Sequence, residues 1–171
     1  LKFKFNVDAA YAGLRTIHLK EVTLQSKYST LDVTVTLRAI SGIRAVAYNS
    51  FAGGARTIEL QKNSDPEVVL PVAPATTPVG AVLYAPSELF DQDGTNVSVV
   101  CKYDVYDNNV TSQHPNGNLI RENCTATNKL KYTSDRPMIR GKKKVLTLTV
   151  NPTYLDVLSE PDLDNPTITV N

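Results

Sequence analysis

The sequence predicts an all-β fold of two packed antiparallel sheets, and three observations carry that prediction. Apolar and polar residues alternate with a period of two along the chain, no segment shows a convincing helical stripe, and turn-forming residues break the chain at short intervals. About eight to ten strands separated in this way point to an antiparallel β-sandwich. A chain of 171 residues holds one core, so residues 1–171 are read as a single domain.

In chain order, a strand pattern is already running at the first residue, with Leu1, Phe3, Phe5 and Val7 on one phase. No initiator methionine or signal peptide precedes it, so the start is read as trimmed. Asp8 to Gly13 has room for one turn of helix. Next, Ile17 and Leu19 set one phase while Val22 and Leu24 continue in the other. A regular strand would turn half of these side chains to water, and a β-bulge at Lys20-Glu21 returns them to the core. Leu31, Val33, Val35 and Leu37 then alternate with Asp32, Thr34 and Thr36, the pattern of a strand with one buried face. The same alternation recurs in Thr57 to Gln61, Val97 to Tyr106 and Lys144 to Val150. Val33, Val35, Leu37, Val99, Leu146 and Leu148 are therefore expected between the sheets, and Val150 with them.

Between these runs, Ser41-Gly42, Ala52-Gly53-Gly54, Asn63 to Pro66, Asp91 to Gly94 and His114 to Gly117 are turn chemistry. Prolines at 71, 74, 78 and 86 make Pro71 to Pro86 an extended edge or a crossing between sheets, where a missing N–H does no harm. Ser87 to Phe90 reads as a short helical turn with Ser87 as its N-cap.

Composition narrows the function. Lys and Arg total 18 against 17 Asp and Glu, and the signs are interspersed, which signals neither a nucleic-acid groove nor an anionic membrane surface. The basic run Arg140 to Lys144 leads straight into a strand and is read as a solvated turn. No apolar stretch is long enough to cross a bilayer. The two histidines, His18 and His114, have no cysteine or acid at metal-ligand spacing, so neither zinc nor histidine-based catalysis is expected. Asp91 to Asn96 lacks the third acid and the distal glutamate of a calcium loop and is read as a hairpin-style turn. No phosphate loop, nucleophile elbow or spaced carboxylate pair is found, so the expectation is a non-enzyme with no cofactor. Asn96, Asn109 and Asn123 begin tripeptides of the N-glycosylation type, which matter only in a eukaryotic secretory host.

The two cysteines can be placed by register. Pairing Val97 to Asp107 with Leu119 to Asn128 so that Cys101 faces Cys124 also sets Val105 opposite Ile120 and Val99 opposite Ala126. Both cysteines then share the apolar face. That spacing permits a cross-strand disulfide, and two buried thiols acting as small hydrophobes are the equal alternative.

The runs Tyr103 to Asp107, Gly117 to Thr127 and Leu146 to Tyr154, with the terminal Ser159 to Val170, resemble the C-terminal domain of Bacteroidales fimbrillins, the fimbrial subunit proteins of the FimA and Mfa type. Val7 to Leu19 is similar to the opening of that domain. The resemblance implies a transthyretin-like, Greek-key type of sandwich in an exported lipoprotein with a further N-terminal domain. It also implies subunits joined into outer-membrane fimbriae by exchange of β-strands, extracellular adhesion, and a host surface protein or glycan as a further partner. In this sequence the exchanged strand would be Thr167, Ile168, Thr169 and Val170, opened by Pro166. Two other classes compete. A carbohydrate-binding surface module would show an aromatic platform, yet Trp is absent and the tyrosines are scattered. A glycosidase accessory domain would need a carboxylate pair.

Overall fold

The computed structural model describes residues 1–37, 44–131, 142–152 and 167–170. Its strands are β1 (Lys2–Val7), β2 (Arg15–Ser26), β3 (Thr30–Leu37), β4 (Arg44–Ala52), β5 (Arg56–Gln61), β6 (Val68–Val69), β7 (Thr77–Val79), β8 (Val97–Asp107), β9 (Leu119–Lys129), β10 (Val145–Asn151) and β11 (Thr167–Val170). One turn of helix, α1 (Ala9–Ala12), follows β1, with Asp8 accepting from the Ala10 and Tyr11 backbone N–H groups. A 3₁₀ turn covers Ser87–Leu89. Ser87 is its first residue rather than its cap, and its hydroxyl donates to Glu88.

The strands form two facing layers and one separate pair. The first sheet runs β11-β10-β1-β7, the second β5-β2-β8-β9 with β6 also on β2, and among the described residues β3 pairs with β4 alone. The fold is all-β, a sandwich whose pairings are antiparallel with one exception among the named strands. β1 lies parallel to β10, with Phe3 beside Leu146, Phe5 beside Leu148 and Val7 beside Val150. Nothing in either strand's own alternation distinguishes a parallel from an antiparallel neighbour.

One cluster of buried side chains fills the space between the layers. The first sheet contributes Phe3, Phe5, Val7, Leu146, Leu148 and Val150. The second contributes Ile17, Leu19, Val22, Leu24, Val99 and Val105 among others. Val99, Leu146, Leu148 and Val150 are thus buried as the alternation predicts. The bulge is also where the phase reversal places it. In the β2–β8 ladder Leu19 pairs with Tyr103 and Glu21 with Lys102, so Lys20 is the extra residue. The neighbouring Leu19 carbonyl accepts from the buried Gln61 amide at 3.0 Å, which satisfies a polar group near the break in the ladder.

Val33 and Val35 correct the expected core. They are 46 % and 56 % exposed, because among the described residues β3 pairs with β4 as a hairpin of its own and not with a strand of either layer. The side chain of Leu37 lies outside the described residues.

The layers come close together where β7 leaves the first sheet. Gly80 has φ +71, and a Cβ there would lie 2.8 Å from the Leu60 carbonyl oxygen of β5. Gly80→Ala is expected to cost about 1–3 kcal/mol, from left-handed strain and the clash with backbone. Urea denaturation measures it, and an unchanged midpoint would mean that the chain relaxes at this corner.

Candidate functional site

The terminal strand β11 occupies one edge of the first sheet. It pairs antiparallel with β10, setting Thr167 against Asn151, Ile168 against Val150, Thr169 against Thr149 and Val170 against Leu148. Val150 and Leu148 are fully buried, so the strand beside them completes the sheet at the level of the core. Pro166 lies outside the described residues.

The cysteines are brought near each other but not opposite. Cys101 pairs with Ala126 and Cys124 with Tyr103, which corrects the expected register by two positions. Its cause is a bulge. Tyr103 pairs with Cys124 and Val105 with Arg121, so β9 carries an extra residue in this interval, and a second shift follows between Val105 and Tyr106. Asn123 supports the bulge with φ 57, the left-handed conformation that asparagine tolerates better than most residues. Both cysteines are buried thiols outside any disulfide. Burial pushes the Cys101 thiol up to about 12, which leaves almost no thiolate at neutral pH. Tyr103 stands beside them, its phenol raised by burial first and its hydroxyl without a hydrogen-bond partner among the described residues.

On the other face of the same strands lies a polar cluster that the sequence reading passed over. His18 and Lys20 project from β2, Asp104 and Tyr106 from β8. His18 is 2 % exposed despite its place on the polar phase, covered by Tyr106 with ring centroids 4.4 Å apart. Its Nδ1 lies 3.1 Å from the Glu67 carboxylate. Asp104 is buried, and its two oxygens have separate partners: the Lys20 ammonium at 3.1 Å and the Asn123 backbone N–H at 2.7 Å. The Lys20 ammonium also donates to the Asn123 side-chain carbonyl at 3.3 Å. Asp104 therefore ties the bulge of β2 to the bulge of β9. The left-handed Asn123 was the one available sequence signal, since asparagine is common where a strand must break its ladder.

The loops behave as structural closures. Asp91 accepts from the Thr95 and Asn96 backbone N–H groups and from the Thr95 hydroxyl. The segment is a turn that feeds β8, not a hairpin between paired strands. His114 sits in an exposed loop between β8 and β9 that Asp107 closes. Hydrogen bonds from Asn118, side chain and backbone, lower the Asp107 carboxyl to about 2, with Asn109 adding to them. Lys142 and Lys143 of the basic run are exposed, while Arg140 and Gly141 lie outside the described residues. Among the described residues, no group of three or more His, Cys, Asp or Glu side chains is placed to hold a metal ion. No described helix is long and apolar enough to cross a membrane.

Comparison of the chain with protein-family models, with curated proteins and with solved structures found no match in any of the three.

Proposed function

We propose that this chain is a structural subunit or adhesin domain of bacterial cell-surface fimbriae that assembles by exchange of β-strands, as its resemblance to Bacteroidales fimbrillins implies. One observation supports the reading most: the position of β11. A four-residue strand at the end of the chain lines a sheet edge beside two fully buried residues, Leu148 and Val150. A strand in that place gains main-chain hydrogen bonds along its length, and an equivalent strand from a neighbouring subunit could make the same ladder. The protein then acts outside the cell, on a fimbria attached to the outer membrane, through surfaces and edges rather than chemistry.

Deleting Thr167 to Asn171 in the producing cell tests this. The expected result is a protein that is still exported and folded while the fibres seen by electron microscopy become short or disappear. Fibres of normal length and number would overturn the reading.

A further inference from the structure

β8 and β9 pair in one register beside their connecting turn and in another beyond it. At the turn the Asp107 N–H donates to the Asn118 carbonyl, and Tyr106 faces Leu119. Asn118 binds the Asp107 carboxylate through both its backbone and its side chain, so this end is fixed. Continued without a break, its register would set Val105 opposite Ile120, Asp104 opposite Arg121, Tyr103 opposite Glu122 and Cys101 opposite Cys124. Instead β9 takes up one extra residue between Leu119 and Arg121 and another between Arg121 and Cys124. From Cys124 onward the ladder runs two positions out of step with the turn, and Cys101 meets Ala126.

The bulge-free register is a real competitor. A slip of two positions keeps Cys124 and Ala126 on the core face, because side chains alternate with a period of two. Among the described residues β9 has β8 as its one ladder partner, so sliding breaks no second ladder. The bulged form is held by Asp104, which bonds the Asn123 N–H and Lys20. It leaves Asn123 at φ 57, Ile120 38 % exposed, and the buried Tyr103 hydroxyl without a hydrogen-bond partner among the described residues. The regular form relieves all three. Asn123 becomes extended, Ile120 faces the buried Val105, Glu122 brings an acceptor beside Tyr103, and Asp104 gains Arg121 directly opposite. Its cost is the Glu122 carboxylate turned to the core face, which keeps the dithiol protein in the bulged register.

We infer that Cys101 and Cys124 form a redox switch, in which a disulfide between them draws β9 two positions along β8 into the bulge-free register and reduction lets it return. In the bulged register the two cysteines are diagonal neighbours, and such pairs lie about 7–8 Å apart, beyond a disulfide's reach. Directly opposite residues are within it. The oxidant is a small-molecule disulfide. One cysteine attacks it and releases a thiol, and the other attacks the mixed disulfide and releases a second. The two protein thiols thus become a disulfide while the oxidant's disulfide becomes two thiols, which take up the two protons. Both cysteines are buried, so exchange waits on the opening of the edge strand. The switch alters the sheet edge: the bulged β9 is bent and interrupted, whereas the oxidised strand offers a continuous edge.

Equilibrating the full chain in graded mixtures of reduced and oxidised glutathione is the test. Peptide mapping without reductant is expected to find a Cys101–Cys124 disulfide in protein that keeps its circular dichroism spectrum. Cross-strand contacts seen by NMR are expected to move from Cys101–Ala126 to Cys101–Cys124 and Val99–Ala126. Asn123 sets the balance. Asn123→Val resists the left-handed conformation and should favour oxidation about tenfold at a given glutathione ratio, while Asn123→Gly accepts it and should disfavour oxidation about threefold. If Asn123→Val fails to fold, Asn123→Gly and the wild-type contacts carry the test. Wild type that remains a dithiol, or that is oxidised only once unfolded, overturns the inference. A disulfide formed with the Cys101–Ala126 pairing intact overturns it too, as does oxidation of Asn123→Gly as ready as that of wild type.

Discussion

Leu148→Ala is expected to lower the stability of the domain by about 2–5 kcal/mol, the range for emptying a fully buried leucine site. The position leaves little room for collapse. β10 lies between β11 and β1, so Leu148 has Val170 and Phe5 as its register partners. Leu148 and Phe5 are each fully excluded from water. Removing the side chain loses its transfer free energy and opens a void that neighbours held in two ladders refill poorly. Val35→Ala is the matched contrast. It sits on an equally regular alternation but is 56 % exposed, so the change should stay within about 0.5 kcal/mol. Urea denaturation of both variants reads the difference. Equal effects would mean that Val35 is covered in solution by the protein's own chain.

That contrast also shows what the sequence discloses. An alternating run reports that a strand has an apolar face, and this holds for β3 as well as for β10. It carries no information on whether a second sheet stands opposite, which depends on how distant strands are ordered. The bulge in β2 was readable because Ile17, Leu19, Val22 and Leu24 cannot all be buried without one, and all four are buried. The shifts between β8 and β9 were not readable in that way. The apolar residues of β9 are too few to betray a change of phase, so the pairing of the cysteines came out displaced. The parallel pairing of β1 with β10 joins segments from opposite ends of the chain, and no local pattern encodes it. The burial of His18 and Asp104 was not readable for a related reason. They occupy the polar phase, which is normally solvated, and here Tyr106, Glu67 and Lys20 cover them. As for the terminal strand, its extended character was plain from Thr167 to Val170, whereas its place beside β10 is a fact of topology.

The ion pair between the half-buried Lys20 and the buried Asp104 should also be costly to break. Asp104→Ala leaves the Lys20 ammonium and the Asn123 N–H without their common acceptor, at the point where β2 and β9 both depart from regular pairing. The Lys20 side chain is 19 % exposed, so water compensates part of the charge left behind, and the expected loss is about 1–3 kcal/mol, mostly from the unsatisfied Asn123 N–H and the lost charge-assisted hydrogen bond. Asp104→Asn separates the two roles. The amide oxygen can still accept from Asn123, so part of the stability should return while the attraction to Lys20 is lost. The pH dependence has a definite sign. The hydrogen bond to Asp104 raises Lys20 above its ordinary value of 10.5, against the opposing effect of desolvation. A group whose folded pKa is raised stabilises the fold fully below its unfolded value and loses that contribution as pH climbs through the folded one. The wild type should therefore keep this contribution across neutral pH and weaken only in alkali above about 10.5, while Asp104→Ala should lack that alkaline component. Denaturation midpoints of the three proteins, followed from neutral pH into alkali, decide it. A loss below about 1 kcal/mol for Asp104→Ala at neutral pH would show that the two bulges hold without the carboxylate.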